Sequence, residues 1–419
     1  MSLSFAQAQD TKDPLSAFRD QFHIPKDEEG NEILYLVGHS LGLQPKTVRD
    51  AVIQELDEWK TLGVEGHFKG RHPWMAYHEF LTEKLARLVG AEPIEVVAMN
   101  TLTVNLHLMM VSFYQPTTTR YKIMIEDTAF PSDRYAVASQ VAYHGYDPEE
   151  GVIGLRPRES EEFIRTEDIE TLLEQEGDTI VLVLLGGVNY LTGQAFEMER
   201  ITQAGHRHGC TVGFDLAHAA GNLALRLHDW EVDFAVWCSY KYMNGGPGCV
   251  GGGFVHEKHA RRTDLPRFAG WWGHDKETRF KMPPAFQPIP GVEGWQISNP
   301  PILPLAALRA SMDLFHEAGI DRLRAKSEQL TGYMEHLLEQ HPSDNMSIIT
   351  PKDPQQRGCQ LSLRIKQNGK AIYDQLMKAG IMCDWREPDI IRVAPVPLYN
   401  TFTDIYHFAE IFTQANQNP

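Results

Sequence analysis

From about residue 95 onward, short and nearly continuous apolar runs alternate with stretches of helical period. The runs EVVAMN, YKIMIED, DTIVLVLLGG, TVGFD, VDFAVWCS and GGGFVH read as strands. Between them, TVNLHLMMVSFY, SDRYAVASQVAYHG and EMERITQAGHRHG return an apolar side chain every three or four residues and read as helices, the second with Ser132 as its N-cap. Strands that lack polar alternation are covered on both faces, and intervening helices make parallel crossovers. The pattern therefore predicts βαβ units on a mostly parallel sheet.

Upstream, YLVGHSLGLQP predicts a strand and a turn. PKTVRDAVIQELDEWKTLG predicts a helix with Val48, Val52, Ile53 and Leu56 on its apolar stripe, and MAYHEFLTEKLARLVGA a second amphipathic helix. The Pro/Gly-rich MPPAFQPIPGVEGWQISNPPILP breaks the alternation and predicts surface loops or a subunit contact. Beyond it, LAALRASMDLFHEAG and IDRLRAKSEQLTGYMEHLLEQH are helical. CQLSLRI, KAIYDQLMKAG, DIIRVAPV and FTDIYHFAEIFTQA then alternate strand and helix. The expected fold class is α/β. A large domain, 65–300, holds a central sheet flanked by helices; the N-terminal arm, 1–64, and the C-terminal third, 301–419, form a smaller α+β domain.

Composition narrows the function. The chain has 419 residues, enough to bury a core without staples, and 39 basic against 56 acidic residues give a net charge of −17. That balance argues against nonspecific nucleic-acid binding or an acidic membrane surface. Five cysteines with no CxxC pair predict buried thiols in a reducing compartment. The start MSLSFAQAQDTKDPLSAF lacks a basic and an apolar segment, and the longest apolar run, IVLVLLGGV, is too short for a bilayer. A cytoplasmic protein is expected.

The candidate chemistry lies in WCSYKYMNGGPGCVGGGFVH. This is no nucleotide loop: a P-loop lysine follows its glycines, whereas Lys241 precedes them, and a strand rather than a helix comes next. A lysine at a strand end can instead condense with an aldehyde as a Schiff base. If the aldehyde is pyridoxal phosphate, the ring nitrogen needs a carboxylate, the phosphate a helix N-terminus, and the ring a flat neighbour. Asp215 closes the strand TVGFD. Asn100, Thr101 and Thr103 stand at a strand-to-helix junction, and AFPSD supplies Phe130 and a second acid, Asp133. Singly, each is more readily a cap, a turn or a solvated residue than a site residue. Their joint order favours a cofactor site. HxH at His206 and His208 reads as a solvated helix end, and no metal is assigned.

DLAHAAGN followed by CSYKY and glycines resembles the fold type I, class V pyridoxal-phosphate enzymes. GHSLGLQPK, MNTLTVNLHLMMVSFY, AFPSDRYA, GVNYLTGQ, FAGWWGH, ISNPPI and RVAPVPLYNTF, in order along nearly the whole chain, narrow the resemblance to the kynureninase family. The resemblance implies a homodimer that uses pyridoxal 5'-phosphate to hydrolyse L-kynurenine or its 3-hydroxy form. It implies that Lys241 carries the Schiff base, that Asp215 pairs with the ring nitrogen with Asp133 nearby, and that His218 touches the cofactor. Phe130 is implied to stack on the ring, and Leu102, Thr103, Ser132 and Tyr240 to bind the phosphate side, Tyr240 also relaying protons. Trp271 and Asn299 are implied to reach in from the partner subunit. Arg392 would clamp the substrate α-carboxylate, and Ser40, His67 and Asn299 would line the aromatic end, with His72 an alternative to His67. A cysteine desulfurase or class V transaminase is the sister reading, and a cofactor-binding protein without catalysis the third.

Overall fold

The computed structural model of the chain describes residues 2–417. Among these, seven strands form the central sheet, in the order Val96–Ala98, Gly252–Val255, Phe234–Trp237, Thr211–Asp215, Ile180–Gly186, Lys122–Glu126, Val152–Leu155. Successive side chains of a strand point to opposite faces, and here both faces are apolar cores. Met124, Val183, Leu185, Phe214, Ala235 and Trp237 pack on one side. Ile123, Ile125, Leu182, Leu184, Phe234 and Val236 pack on the other. This two-sided burial is why the strands read as unbroken apolar runs, and the α/β class expected from them is the one found.

Gly252–Val255 alone runs antiparallel to its two neighbours. Its connection from Trp237 contains no crossover helix, so the chain turns back on itself. Gly246 and Gly248 make that turn with φ of 95° and 65°. The edge strand Val152–Leu155 and the helix Thr166–Glu176 carry no clear pattern in the sequence, because the strand is only half covered and the helix is largely solvated.

The smaller unit has an antiparallel sheet in the order Met346–Ile348, Leu361–Ile365, Ile390–Val393, Asp384–Arg386. Helices Ile320–Glu339, Gly369–Lys378 and Phe402–Gln417 cover it. The N-terminal arm is stitched into this unit. Leu34–Tyr35 pairs with Ile381–Met382, and helix Leu3–Lys12 packs on Phe402–Gln417. Asp10 accepts from the N–H groups of Phe402 (2.6 Å) and Thr403 (3.0 Å), donors that a helix start leaves unpaired. A buried ion pair, Lys326 to Asp13 at 2.7 Å, makes a second tie. Helix Ile302–Ala318 packs in the large core through Leu305, Leu308, Met312 and Phe315.

Three local expectations change. In helix Val48–Leu62, Ile53 is exposed and the buried side chain is Glu55, whose carboxylate accepts from Trp74 Nε1 (2.9 Å) and Tyr77 Oη (2.8 Å). The next amphipathic segment divides into a 3-10 stretch, Trp74–Leu81, and the α-helix Thr82–Val89. Helix Pro131–Tyr143 starts two residues early: Phe130 is the N-cap and Ser132 lies inside the first turn, its hydroxyl bonded to Thr103 Oγ1 at 2.8 Å. Proline at the first helical position sets that start.

Candidate active site

Three adjacent strands end in Glu126, Gly186 and Asp215, and the next carries Tyr240 and Lys241 just past its end. The carboxyl ends of parallel strands are where an open α/β sheet forms its ligand crevice. A cavity of about 180 Å³ lies there, and the first turns of helices Leu102–Phe113 and Pro131–Tyr143 point into it. Of the site residues read from the sequence, Leu102, Thr103, Phe130, Ser132, Asp133, Asp215, His218, Tyr240 and Lys241 line this one cavity.

The Lys241 ammonium sits 5.9 Å from the centroid of the Phe130 ring and 6.0 Å from that of Tyr240. The backbone beneath it is clamped by the N-terminal arm. Gly42 N–H donates to the Tyr240 carbonyl at 2.8 Å, and a Cβ at Gly42 would fall 2.3 Å from the Lys241 carbonyl oxygen. The glycines after Lys241 serve the turn and the neighbouring strand: Cβ atoms on Gly251 and Gly252 would strike Trp237. Burial pushes the Tyr240 hydroxyl far up, helped by its contact with Cys238, so it keeps its proton at neutral pH.

Opposite the lysine, Asp133 and Asp215 are hydrogen-bonded to each other. Asp215 also accepts from Ala217 N–H at 2.7 Å. Burial raises both acids. Asp133 goes well above its ordinary value because Asp215 and Glu126 add negative charge to the burial, whereas the bond from Asp133 and the nearby Lys241 charge oppose the rise at Asp215. Of the pair, Asp133 holds a proton the more readily and donates to Asp215.

Glu126, Asn189 and Tyr190 line the cavity and escaped the sequence reading. Glu126 closes an apolar strand, YKIMIED, that was read as a strand without a site residue. Its carboxylate accepts from Gly186 N–H (2.8 Å) and Asn189 Nδ2 (2.7 Å). Burial still raises it from 4.5 to about 7. The folded chain thus keeps a proton there that the unfolded chain releases. The stability this lends is full below pH 4.5 and lost as pH rises through about 7. Glu126→Gln cannot ionise, so raising the pH from about 5 to about 8 should shift its stability relative to wild type upward by on the order of 2–3 kcal/mol. Urea denaturation of both proteins at the two pH values measures this, and parallel pH dependences would contradict it.

His39 was also missed, although its neighbour Ser40 was named. It is fully buried, 6.3 Å ring to ring from His218, and burial holds both imidazoles well below their ordinary range. Arg392 is buried just behind the cavity wall, donating to the Tyr190 carbonyl at 2.7 Å. Ser40 is exposed and not part of the wall, though its loop abuts Tyr240. His67 lies away from the cavity, its Nδ1 3.0 Å from the Val64 carbonyl and its ring edge-on to Trp74. His72 is likewise outside, bonded to Gln54. Trp271 and Asn299 are exposed and outside their own chain's cavity.

The cavity fits pyridoxal phosphate. His218 Nδ1 is buried in its wall with no hydrogen-bond partner among the described residues, so a polar ligand would meet a prepared group. Two helix starts suit a phosphate, and Phe130 offers a ring face beside the lysine. Elsewhere, Glu79 and Glu293 approach His78, but Lys276 stands 2.9 and 2.6 Å from the two carboxylates and supplies the positive charge.

The backbone superimposes on the cystine C–S lyase C-DES, in a variant with glycine covalently linked to its PLP cofactor. The TM-score is 0.78 at 18% identity, covering 94% of this chain and 98% of that one. It also matches the cysteine desulfurase CsdA of Escherichia coli, with TM-score 0.77, 17% identity, and 96% and 98% coverage. These likenesses concern the fold. Residues 323–412 match the kynureninase C-terminal domain. Over 415 residues the chain is 62% identical to the kynureninase of Koribacter versatilis, covering 99% of this chain and 98% of that protein. It is 61% identical over 409 residues to that of Myxococcus xanthus, covering 98% and 96%. At 62% and 61% identity over nearly all of this chain and of both relatives, the chain belongs to the kynureninase family.

Proposed function

We propose that the chain is a pyridoxal-phosphate-dependent hydrolase of carbon–carbon bonds. It cleaves the Cβ–Cγ bond of L-kynurenine, or its 3-hydroxy form, to anthranilate or 3-hydroxyanthranilate and L-alanine. The observation that carries this reading is the single cavity in which Lys241, the Asp133–Asp215 pair and two helix starts converge. The cofactor, when bound, supplies an aldehyde that joins the substrate amine and an electron sink for the substrate carbon skeleton.

The chain's own groups do the rest. Lys241 takes the proton from the substrate α-carbon and returns it as L-alanine forms. Asp215, kept anionic by the proton on Asp133, holds a positive charge on the ring nitrogen. Leu102, Thr103, Ser132 and Tyr240 hold the phosphate, partly through backbone N–H groups. Water adds to the γ-carbonyl as the Cβ–Cγ bond breaks, and Tyr240, which keeps its proton, delivers one to Cβ. Arg392 binds the α-carboxylate, a group its planar fork suits.

The reaction belongs to tryptophan breakdown or NAD synthesis in the cytoplasm. No helix among the described residues is long and apolar enough to cross a membrane. The active unit is a homodimer. Trp271 and Asn299, exposed on their own chain, enter the neighbouring subunit's site, with Ser40 and His67 completing the aromatic end. The exposed Trp59, Val64 and Phe68 beside His67 support a covered surface there.

The desulfurase reading needs an accessible, reactive thiol. All five cysteines are buried, and burial pushes Cys359 and Cys383 up to about 12. Mixing the holoenzyme with kynurenine, 3-hydroxykynurenine and cysteine in parallel tests the proposal. Anthranilate fluorescence with alanine release is expected; sulfide from cysteine without anthranilate would overturn it.

A further inference from the structure

One carboxylate behind the cavity collects three donors. Asp384 Oδ2 accepts from Arg392 Nη2, from Arg386 Nη2 at 3.1 Å, and from His39 Nε2 at 3.3 Å. Backbone register sets this meeting. Asp384 and Arg392 face each other across the antiparallel strands Asp384–Arg386 and Ile390–Val393, which puts their Cβ atoms on one side, about 5 Å apart. Arg386, two residues along, shares that side. His39 is delivered by the arm, which bonds into the same unit through Leu36 N–H to the Met382 carbonyl (2.9 Å) and Ala394 N–H to the Leu36 carbonyl (2.8 Å).

Arg392 is thereby held at two corners. Nη1 donates to the carbonyl of Tyr190, a cavity residue, and Nη2 to Asp384. Its Nε is buried and has no partner among the described residues. A guanidinium carries five N–H donors in a fixed plane, so fixing two corners aims the remaining edge.

We infer that Asp384 is the positioning residue for Arg392: with the Tyr190 carbonyl it locks the guanidinium plane and leaves the Nε–H edge for the substrate α-carboxylate. The inference rests on the assignment of Arg392 to that carboxylate. Its sign is distinctive. Arg392, Arg386 and Asp384 sum to one positive charge, His39 being held neutral by burial. Coulomb attraction alone makes removal of Asp384 strengthen the binding of an anion. Positioning makes the same removal weaken it, because Arg392 loses its orientation and turns to other acceptors.

The test uses the holoenzyme and two ligands: kynurenine, and kynuramine, which has hydrogen in place of the α-carboxylate. Asp384→Asn should raise KM for kynurenine about tenfold or more, the weight of a hydrogen bond to a charged group, with a much smaller change in kcat. Its inhibition constant for kynuramine should stay within about twofold of wild type, since a ligand without the carboxylate does not use the aimed edge. Asp384→Glu keeps the charge and should show a smaller rise in KM than Asp384→Asn. A fall or no change in KM for kynurenine overturns the inference, as does equal weakening of kynurenine and kynuramine. An Asp384→Asn chain that does not fold leaves the decision to Asp384→Glu, where an unchanged KM overturns it. Arg392→Gln separates the two readings. If it leaves KM unchanged, the Arg392 assignment falls and this inference with it; if it raises KM while Asp384→Asn does not, Asp384 alone is misassigned.

Discussion

Lys241→Ala should lose turnover and covalent cofactor attachment together. Lys241 is the amine that lines the cavity, between Phe130 and Tyr240 and across from the paired acids. It has two duties, joining the cofactor aldehyde and moving the substrate α-proton. A positioned base alone contributes about 10²–10⁴-fold, so a fall in kcat of at least about 10³-fold is expected. Attachment can be read without turnover. After incubation with pyridoxal phosphate and borohydride reduction, the intact mass of the wild-type chain should rise by one cofactor adduct, and that of the variant should not. A variant that is labelled at one other lysine and keeps full turnover would remove Lys241 from the mechanism.

The second large effect is asymmetric within the acid pair. Asp215→Asn should lower kcat by about 10²–10³-fold, the scale seen when one preorganised electrostatic partner of a reacting group is removed. An amide at residue 215 cannot hold a positive charge on the ring nitrogen. Asp133→Asn should cost far less, because Asp133 already acts as the protonated donor to Asp215 and an asparagine amide also donates. Steady-state kinetics of the two variants decide it. Equal losses would mean that the proton is not placed on Asp133, and a larger loss for Asp133→Asn would exchange the two roles.

The two acids show how far the sequence could be read. Asp215 was legible because it ends an unbroken apolar strand, and strand ends of that kind face a crevice. Its nearness to Asp133 came only through the resemblance, since the two residues approach when helix Pro131–Tyr143 is laid over the sheet. Glu126 ends the strand YKIMIED in the same way yet went unread, since nothing near it in the sequence marks its acid as a site residue. Its burial follows from the sheet order, which puts the strand ending in Gly186 beside it and the strand ending in Asp215 next beyond. Arg392 and Tyr240 were found through the resemblance rather than through periodicity.

Local pattern carried the elements and the two-layered apolar sheet, because side-chain period and strand burial are properties of neighbouring residues. Candidate lysine, acids and helix starts stood in the sequence for the same reason, each at the end of a readable element. Long-range packing settled the rest. The antiparallel course of Gly252–Val255, the arm clamped beneath Lys241, the buried Glu55 and the Arg392–Asp384–His39 cluster all join residues far apart in the chain. Their energies depend on burial and on partners that no local window contains, so they became visible when the chain was folded.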